Sequence, residues 1–214
     1  MSVLGELQPN KVFQYFEEIC AIPHGSRNLQ QISDYLVDFA KAHGLKYRQD
    51  EDLNVIIWKD GSKGYEDSDP VILQGHMDMV AVKESDCDKD MEKEGLDLEI
   101  DGDYILAKGT SLGGDDGIAV AYTLAVLDDE EMAHPPIEAI FTVNEEIGML
   151  GAATIDVSDL KGRLFMNMDS EDEGVFTVSC AGGASVICKI PYETETVNAS
   201  VIEIKMDGFT GGHS

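Results

Sequence analysis

Pro70-Val71-Ile72-Leu73-Gln74-Gly75-His76-Met77-Asp78 is the stretch on which the fold turns. Val71, Ile72 and Leu73 form a short unbroken apolar run, the mark of a strand buried on both faces. That strand runs straight into His76 and Asp78. In open α/β sheets, functional groups collect at the carboxyl ends of the strands.

The same pattern recurs along the chain. Phe141-Thr142-Val143-Asn144 runs into Glu145-Glu146, and Leu164-Phe165-Met166-Asn167-Met168 runs into Asp169. A Gly-rich turn, Gly113-Gly114-Asp115-Asp116-Gly117, delivers Asp115 to the mouth of a helix expected from Ile118 to about Asp128. A carboxylate after one strand is commonly a turn former or a helix cap. A lone His-x-Asp is commonly a satisfied buried histidine. Four such places, holding one His and several carboxylates, point to a shared cleft. Glu145 and Glu146 cannot both face one point from a regular strand or helix, so they should lie on a bend.

Around these segments the chain alternates helix and strand. Val12, Phe13, Phe16, Ile19 and Cys20 recur at helical spacing, and Pro23 ends that run. A second amphipathic helix runs from about Leu29 to His43, with Ile32, Leu36, Phe39 and Ala40 inward and Gly44 as its stop. Lys46–Gln49, Asn54–Trp58, Tyr104–Ala107, Ile137–Val143 and Arg163–Met168 read as strands, and Val175–Ser179 as one more. Asp60–Asp69 and Lys83–Gly95 are polar loops. This order argues for a layered α/β sheet. Cys180-Ala181-Gly182-Gly183 resembles a hinge, after which Val186–Ile190 and Val201–Met206 alternate as strands with no helix between them. Residues 1–180 are therefore read as one domain and 181–214 as the start of another.

Composition narrows the function. The formal net charge is -27, so nucleic acid and anionic membranes are repelled. The four cysteines are scattered and form no CxxC pair, which fits reduced thiols in the cytoplasm. Met1–Asn10 lacks the basic start and apolar run of a signal peptide. The apolar stretch from Ile118 to Leu127 is too short to cross a bilayer. Imidazole together with carboxylates suits zinc, manganese or cobalt rather than a thiolate site. His76 would bind through one ring nitrogen, and Asp78 would hydrogen-bond the other and fix the tautomer.

His76-Met77-Asp78, Gly114-Asp115-Asp116-Gly117, Glu145-Glu146-Ile147-Gly148 and Met168-Asp169-Ser170-Glu171, in that order, resemble the metal-binding motifs of the M20 metallopeptidase family. Ile22-Pro23-His24, Gly109-Thr110-Ser111-Leu112-Gly113, Cys180-Ala181-Gly182-Gly183 and Gly211-Gly212-His213-Ser214 resemble its cytosolic dipeptidase branch, the aminoacyl-histidine dipeptidases. The resemblance spans Pro23 to Ser214.

The resemblance implies a mixed-sheet zinc-peptidase catalytic domain, here its N-terminal part, followed by the start of an α+β lid domain. It implies two divalent metal ions, zinc with cobalt or manganese as alternatives. Asp115 matches the bridging carboxylate, His76 and Asp169 the other ligands of one metal, and Glu146 a ligand of the second. Glu145 matches the general base and Asp78 the carboxylate that orients His76. His213 matches a lid histidine that stabilises the reacting carbonyl oxygen. It also implies a cis peptide between Asp115 and Asp116. The family's late histidine ligand has no counterpart in these residues, so the segment alone is expected to be inactive. The implied substrate is a dipeptide, and a homodimer through the lid is the implied assembly. Tripeptidase, N-acyl amino acid deacylase and carboxypeptidase activities remain alternatives, as does a non-catalytic metal-binding relic.

Overall fold

The computed structural model of the chain describes residues 2–206, apart from 171, 173, 181, 183–185, 197 and 199. Two units are distinguished, Met1–Val175 and Phe176–Ser214.

The first unit is built on a five-stranded mixed sheet. Its strands are β1 (Lys46–Gln49), β2 (Val55–Lys59), β3 (Val71–His76), β6 (Ile137–Thr142) and β7 (Leu164–Asn167). They lie in the order β1-β2-β6-β3-β7. β1, β2 and β6 pair antiparallel, whereas β6, β3 and β7 run parallel. A separate hairpin pairs β4 (Leu98–Asp101) with β5 (Tyr104–Ala107). Among the described residues the helices are α1 (Asn10–Cys20), α2 (Gln30–Ala42), α3 (Gly114–Asp128) and α4 (Leu150–Thr154).

Period-two alternation sorts the strand side chains between two faces. Val55, Ile57, Leu73, Ile137, Ala139 and Phe141 join the main core, where Val12, Phe16 and Ile19 of α1, Ile32 and Leu36 of α2, and Val120 and Leu124 of α3 also sit. Ile56, Ile72 and Ile140 turn to the other face, against Trp58, Ile155 and Leu160. Every residue of β6 is buried, as a central strand demands. One of them is Glu138, whose carboxylate accepts the amides of Lys161 and Gly162 at 2.9 to 3.1 Å. That bond set fixes the turn leading into β7. At the end of α2, Gly44 takes φ +64° and the Leu45 amide reaches back to the Ala40 carbonyl. A left-handed residue is a common helix stop, and glycine adopts it without steric penalty.

The expected strands and helices agree with those observed to within a residue or two for α1, α2, β1, β2, β5, β6 and β7. β3 extends three residues further than the apolar run. α3 absorbs the Gly-rich turn, although Asp115 and Asp116 keep non-helical backbone angles. β4 and α4 were not legible. α4 is five residues long, too short to show a period.

The strands expected at Val175–Ser179, Val186–Ile190 and Val201–Met206 are not found. A strand exists only with a partner, and among the described residues none pairs with these. Val186, Ile187, Val201 and Ile204 are exposed instead. The expected hinge includes Ala181 and Gly183, which lie outside the described residues.

Candidate active site

β3, β6 and β7 are parallel neighbours, so their carboxyl ends share one edge of the sheet. His76 is the last residue of β3. Asn144, Glu145 and Glu146 follow β6, and Asp169 follows β7. α3 packs across β3 and brings Asp115 and Asp116 to the same edge. This approach depends on Gly75. A Cβ there would stand 2.7 Å from Asp116 Oδ2 and 3.0 Å from the Ala119 Cβ.

His76 is the centre of the cluster. Its Nε2 lies 2.9 Å from Asp115 Oδ1, 3.8 Å from Glu145 Oε2 and 4.0 Å from Asp169 Oδ2. Its Nδ1 lies 2.9 Å from the main-chain carbonyl of Asp78 and 3.5 Å from that residue's Oδ1. Asp78 thus meets the ring with its backbone carbonyl and, less closely, with its carboxylate. An extended segment places the carbonyl two residues on within easy reach of the imidazole. The Asp78 carboxylate has two further partners: Oδ1 accepts the Glu145 amide at 2.9 Å and Oδ2 accepts the Ser26 hydroxyl at 2.7 Å.

Glu145 and Glu146 sit on a bend, as their adjacency requires. Asn144 takes φ +54°, and the Gly148 and Met149 amides both donate to the Glu145 carbonyl. The peptide between Asp115 and Asp116 is cis. His213 and Glu171 lie outside the described residues.

Donor atoms of His76, Asp115 and Glu146 all fall within 4.8 Å of one another, and so do those of His76, Asp116 and Asp169. Asp116 was not anticipated as a member. Its side chain is buried, and Oδ2 accepts the His76 amide at 3.1 Å. The doubled aspartate in the motif was the available signal.

The electrostatics are those of a site rich in negative charge. Burial raises the Asp116 carboxyl; His76 opposes this while Asp169 and Asp115 add to it, bringing it up to about 8. Burial alone would lower the His76 imidazole, but Asp78, Asp116 and Asp169 together raise it to about 10. Glu145 is raised too, by burial first and then by Asp169, Asp78 and Asp115 against the pull of His76. For Asp78, burial is outweighed by hydrogen bonds from His76, the Glu145 amide and Ser26, so its carboxyl is held low. One imidazole among crowded carboxylates, with no thiolate, is a donor set that fits a divalent cation.

A cavity of about 250 Å³ opens beside Glu145 and Asp169, walled by Met149, Ile155, Val157 and Phe165. A larger one, about 630 Å³, lies near Lys46, Trp58 and Pro136 and includes none of the cluster. Its wall mixes lysines with carboxylates and converges on no reacting group.

No family model matches the chain. The mixed sheet and its acidic cleft agree with the resemblance to the M20 metallopeptidases, and the chain is similar over its whole length to a named peptidase. It is 38% identical over 216 residues to the cytosol non-specific dipeptidase of Escherichia coli, covering 100% of this chain and 44% of that protein. The crystal structure of aminoacylhistidine dipeptidase from Vibrio alginolyticus superposes with a TM-score of 0.78 at 42% identity, over 80% of this chain and 35% of that one. A tripeptidase from Staphylococcus aureus shares the fold, with a TM-score of 0.65 at 24% identity over 78% of this chain and 45% of its own. The chain therefore spans less than half the length of these relatives.

Proposed function

We propose that the protein to which these residues belong hydrolyses the peptide bond of dipeptides, using two divalent metal ions, zinc by preference and cobalt or manganese as alternatives. The observation that carries this reading is the position of Glu145: a carboxylate of raised pKa, on a bend, 3.8 Å from the imidazole at the centre of a metal-fitting cluster.

Asp115 would serve both ions, with His76 and Asp169 completing one set and Glu146 contributing to the other. Asp116, buried behind His76, accepts the His76 amide beside the first set. When bound, the ions supply Lewis acidity that polarises the substrate carbonyl and acidifies water. Glu145 takes the proton of the attacking water and hands it to the leaving amine, acting as base and then as acid. A pKa raised toward neutrality suits a group that must do both. Asp78 holds the His76 ring and the Glu145 main chain. His213, from the start of the lid, donates to the carbonyl oxygen as negative charge develops on it.

Residues 181–214 begin that lid, through which two copies pair. The cytoplasm is the compartment that suits Cys20, Cys87, Cys180 and Cys188, all of them unpaired. The named E. coli relative is a cytosol enzyme. No described helix is long and apolar enough to cross a membrane.

The reading is tested on the full-length protein with a panel of dipeptides, before and after treatment with a chelator. Turnover should vanish on metal removal and return with zinc, cobalt or manganese. Turnover that survives complete metal removal would contradict it.

A further inference from the structure

The loop between α1 and α2 reaches the cleft from outside the sheet. Gly25 forms a parallel bridge with Met79, the Ser26 amide donates to the Met79 carbonyl, and the Met79 amide donates to the His24 carbonyl. The Cβ of Ala81 lies 2.6 Å from where a Gly25 Cβ would stand, so the loop sits close against this segment. One residue on, the Arg27 amide donates to the Asn144 side chain at 2.8 Å, with Arg27 at φ +73°. The loop is therefore tied both to the segment after β3 and to the bend after β6.

Between these two ties stands Ser26. Its hydroxyl donates to Asp78 Oδ2 at 2.7 Å, and the other oxygen of the same carboxylate accepts the Glu145 amide at 2.9 Å. The Asp78 side chain is wholly buried. A buried carboxylate can pivot about its terminal bond unless both oxygens are held. The amide fixes Oδ1 and Ser26 fixes Oδ2. A hydrogen bond to a charged, buried acceptor is among the stronger kinds.

We propose that Ser26 is a positioning residue: by locking the Asp78 carboxylate it sets the main chain of Glu145, and so the reach of the Glu145 carboxylate into the cleft. This rests on the reading of Glu145 as the proton-transfer group. Ser26 touches none of the three carboxylates and one imidazole assigned to the ions, so its effect should fall on turnover and not on metal or substrate binding.

The experiment uses the full-length protein and measures kcat, KM and metal content for Ser26→Ala, Ser26→Thr, Glu145→Gln and the Ser26→Ala/Glu145→Gln double variant. Ser26→Ala should lower kcat about 10- to 100-fold, leaving KM and metal content near wild type. Ser26→Thr, which keeps the hydroxyl, should recover most of that loss. In the Glu145→Gln background, Ser26→Ala should have little further effect, because both changes act on one step. Unchanged kcat in Ser26→Ala overturns the proposal. So does a loss that tracks metal content or KM, a failure of Ser26→Thr to restore turnover, or full additivity in the double variant. If Glu145→Gln itself keeps near-normal turnover, the base assignment fails first, and the two failures are told apart by that single variant.

Discussion

The Glu145 main-chain amide donates to Asp78 Oδ1 at 2.9 Å, across 67 residues of sequence. Two parallel strands, β3 and β6, end side by side, and this bond joins the segments that leave them. It links the residue holding the imidazole to the residue beside it that carries the reacting carboxylate.

Replacing Asp78 with alanine removes acceptors for two donors, the Glu145 amide and the Ser26 hydroxyl. Loss of such supporting groups behind a metal ligand typically costs about 10- to 100-fold in metal affinity or activity. Asp78→Ala should fall at least that far in kcat/KM. Steady-state kinetics at saturating metal checks this, and a variant within twofold of wild type would show that the bond is dispensable.

Gly75→Ala makes a sterically defined demand. The new methyl would stand 2.7 Å from Asp116 Oδ2 and 3.0 Å from the Ala119 Cβ, so the start of α3 must move away from β3. Asp115 travels with it. The expected result is weakened metal binding together with lost activity, read by metal analysis after dialysis. Full metal content with unimpaired turnover would mean that α3 has slack at this point.

Glu138 tests the fold rather than the site. It is 3% exposed, and its carboxylate accepts the amides of Lys161 and Gly162. Glu138→Ala leaves both amides without their acceptor in a tight turn. A loss of roughly 1 to 3 kcal/mol is expected, chiefly for the buried Gly162 amide left unsatisfied, measured by denaturant unfolding. Glu138→Gln, which keeps an acceptor oxygen, should lose less.

Asp128 gives a pH dependence. Its carboxylate pairs with Lys11 and lies 2.9 Å from His43 Nε2. Burial works to raise its pKa, but hydrogen bonds from Lys11 and Tyr15 outweigh it and hold the group below the usual aspartate value. A depressed folded-state pKa stabilises the fold above the unfolded-state value. That stabilisation is lost as pH falls through the lower, folded value. Asp128→Asn should therefore lower stability by roughly 1 kcal/mol near neutral pH, with the gap to wild type closing in acid. A gap that stays constant across that range would contradict the pairing.

Much of this architecture was legible because it is local. The buried strand at Val71–Leu73, the stripe of Ile32, Leu36 and Phe39, and the glycine at position 44 each announce their structure within a few residues. The bend at Glu145-Glu146 followed from the impossibility of aiming adjacent side chains at one point from regular backbone. Contacts between distant segments were not legible. The bond from Ser26 to Asp78 spans 52 residues. Asp116 turns inward only because the backbone at Asp115 and Asp116 departs from the helix and Gly75 leaves room, neither of which the motif displays. The alternating runs after residue 185 carried a strand pattern, but a pattern names no partner, and among the described residues none is there.

The central claim is that Glu145 moves protons and does not hold metal, and the most direct measurement is the metal content and kcat of Glu145→Gln in the full-length protein. The amide keeps the size and shape of the carboxylate but is no base. The account predicts metal content equal to wild type and a kcat lower by about 10²- to 10⁴-fold. Near-normal kcat, or activity lost only in step with the metal, would contradict it.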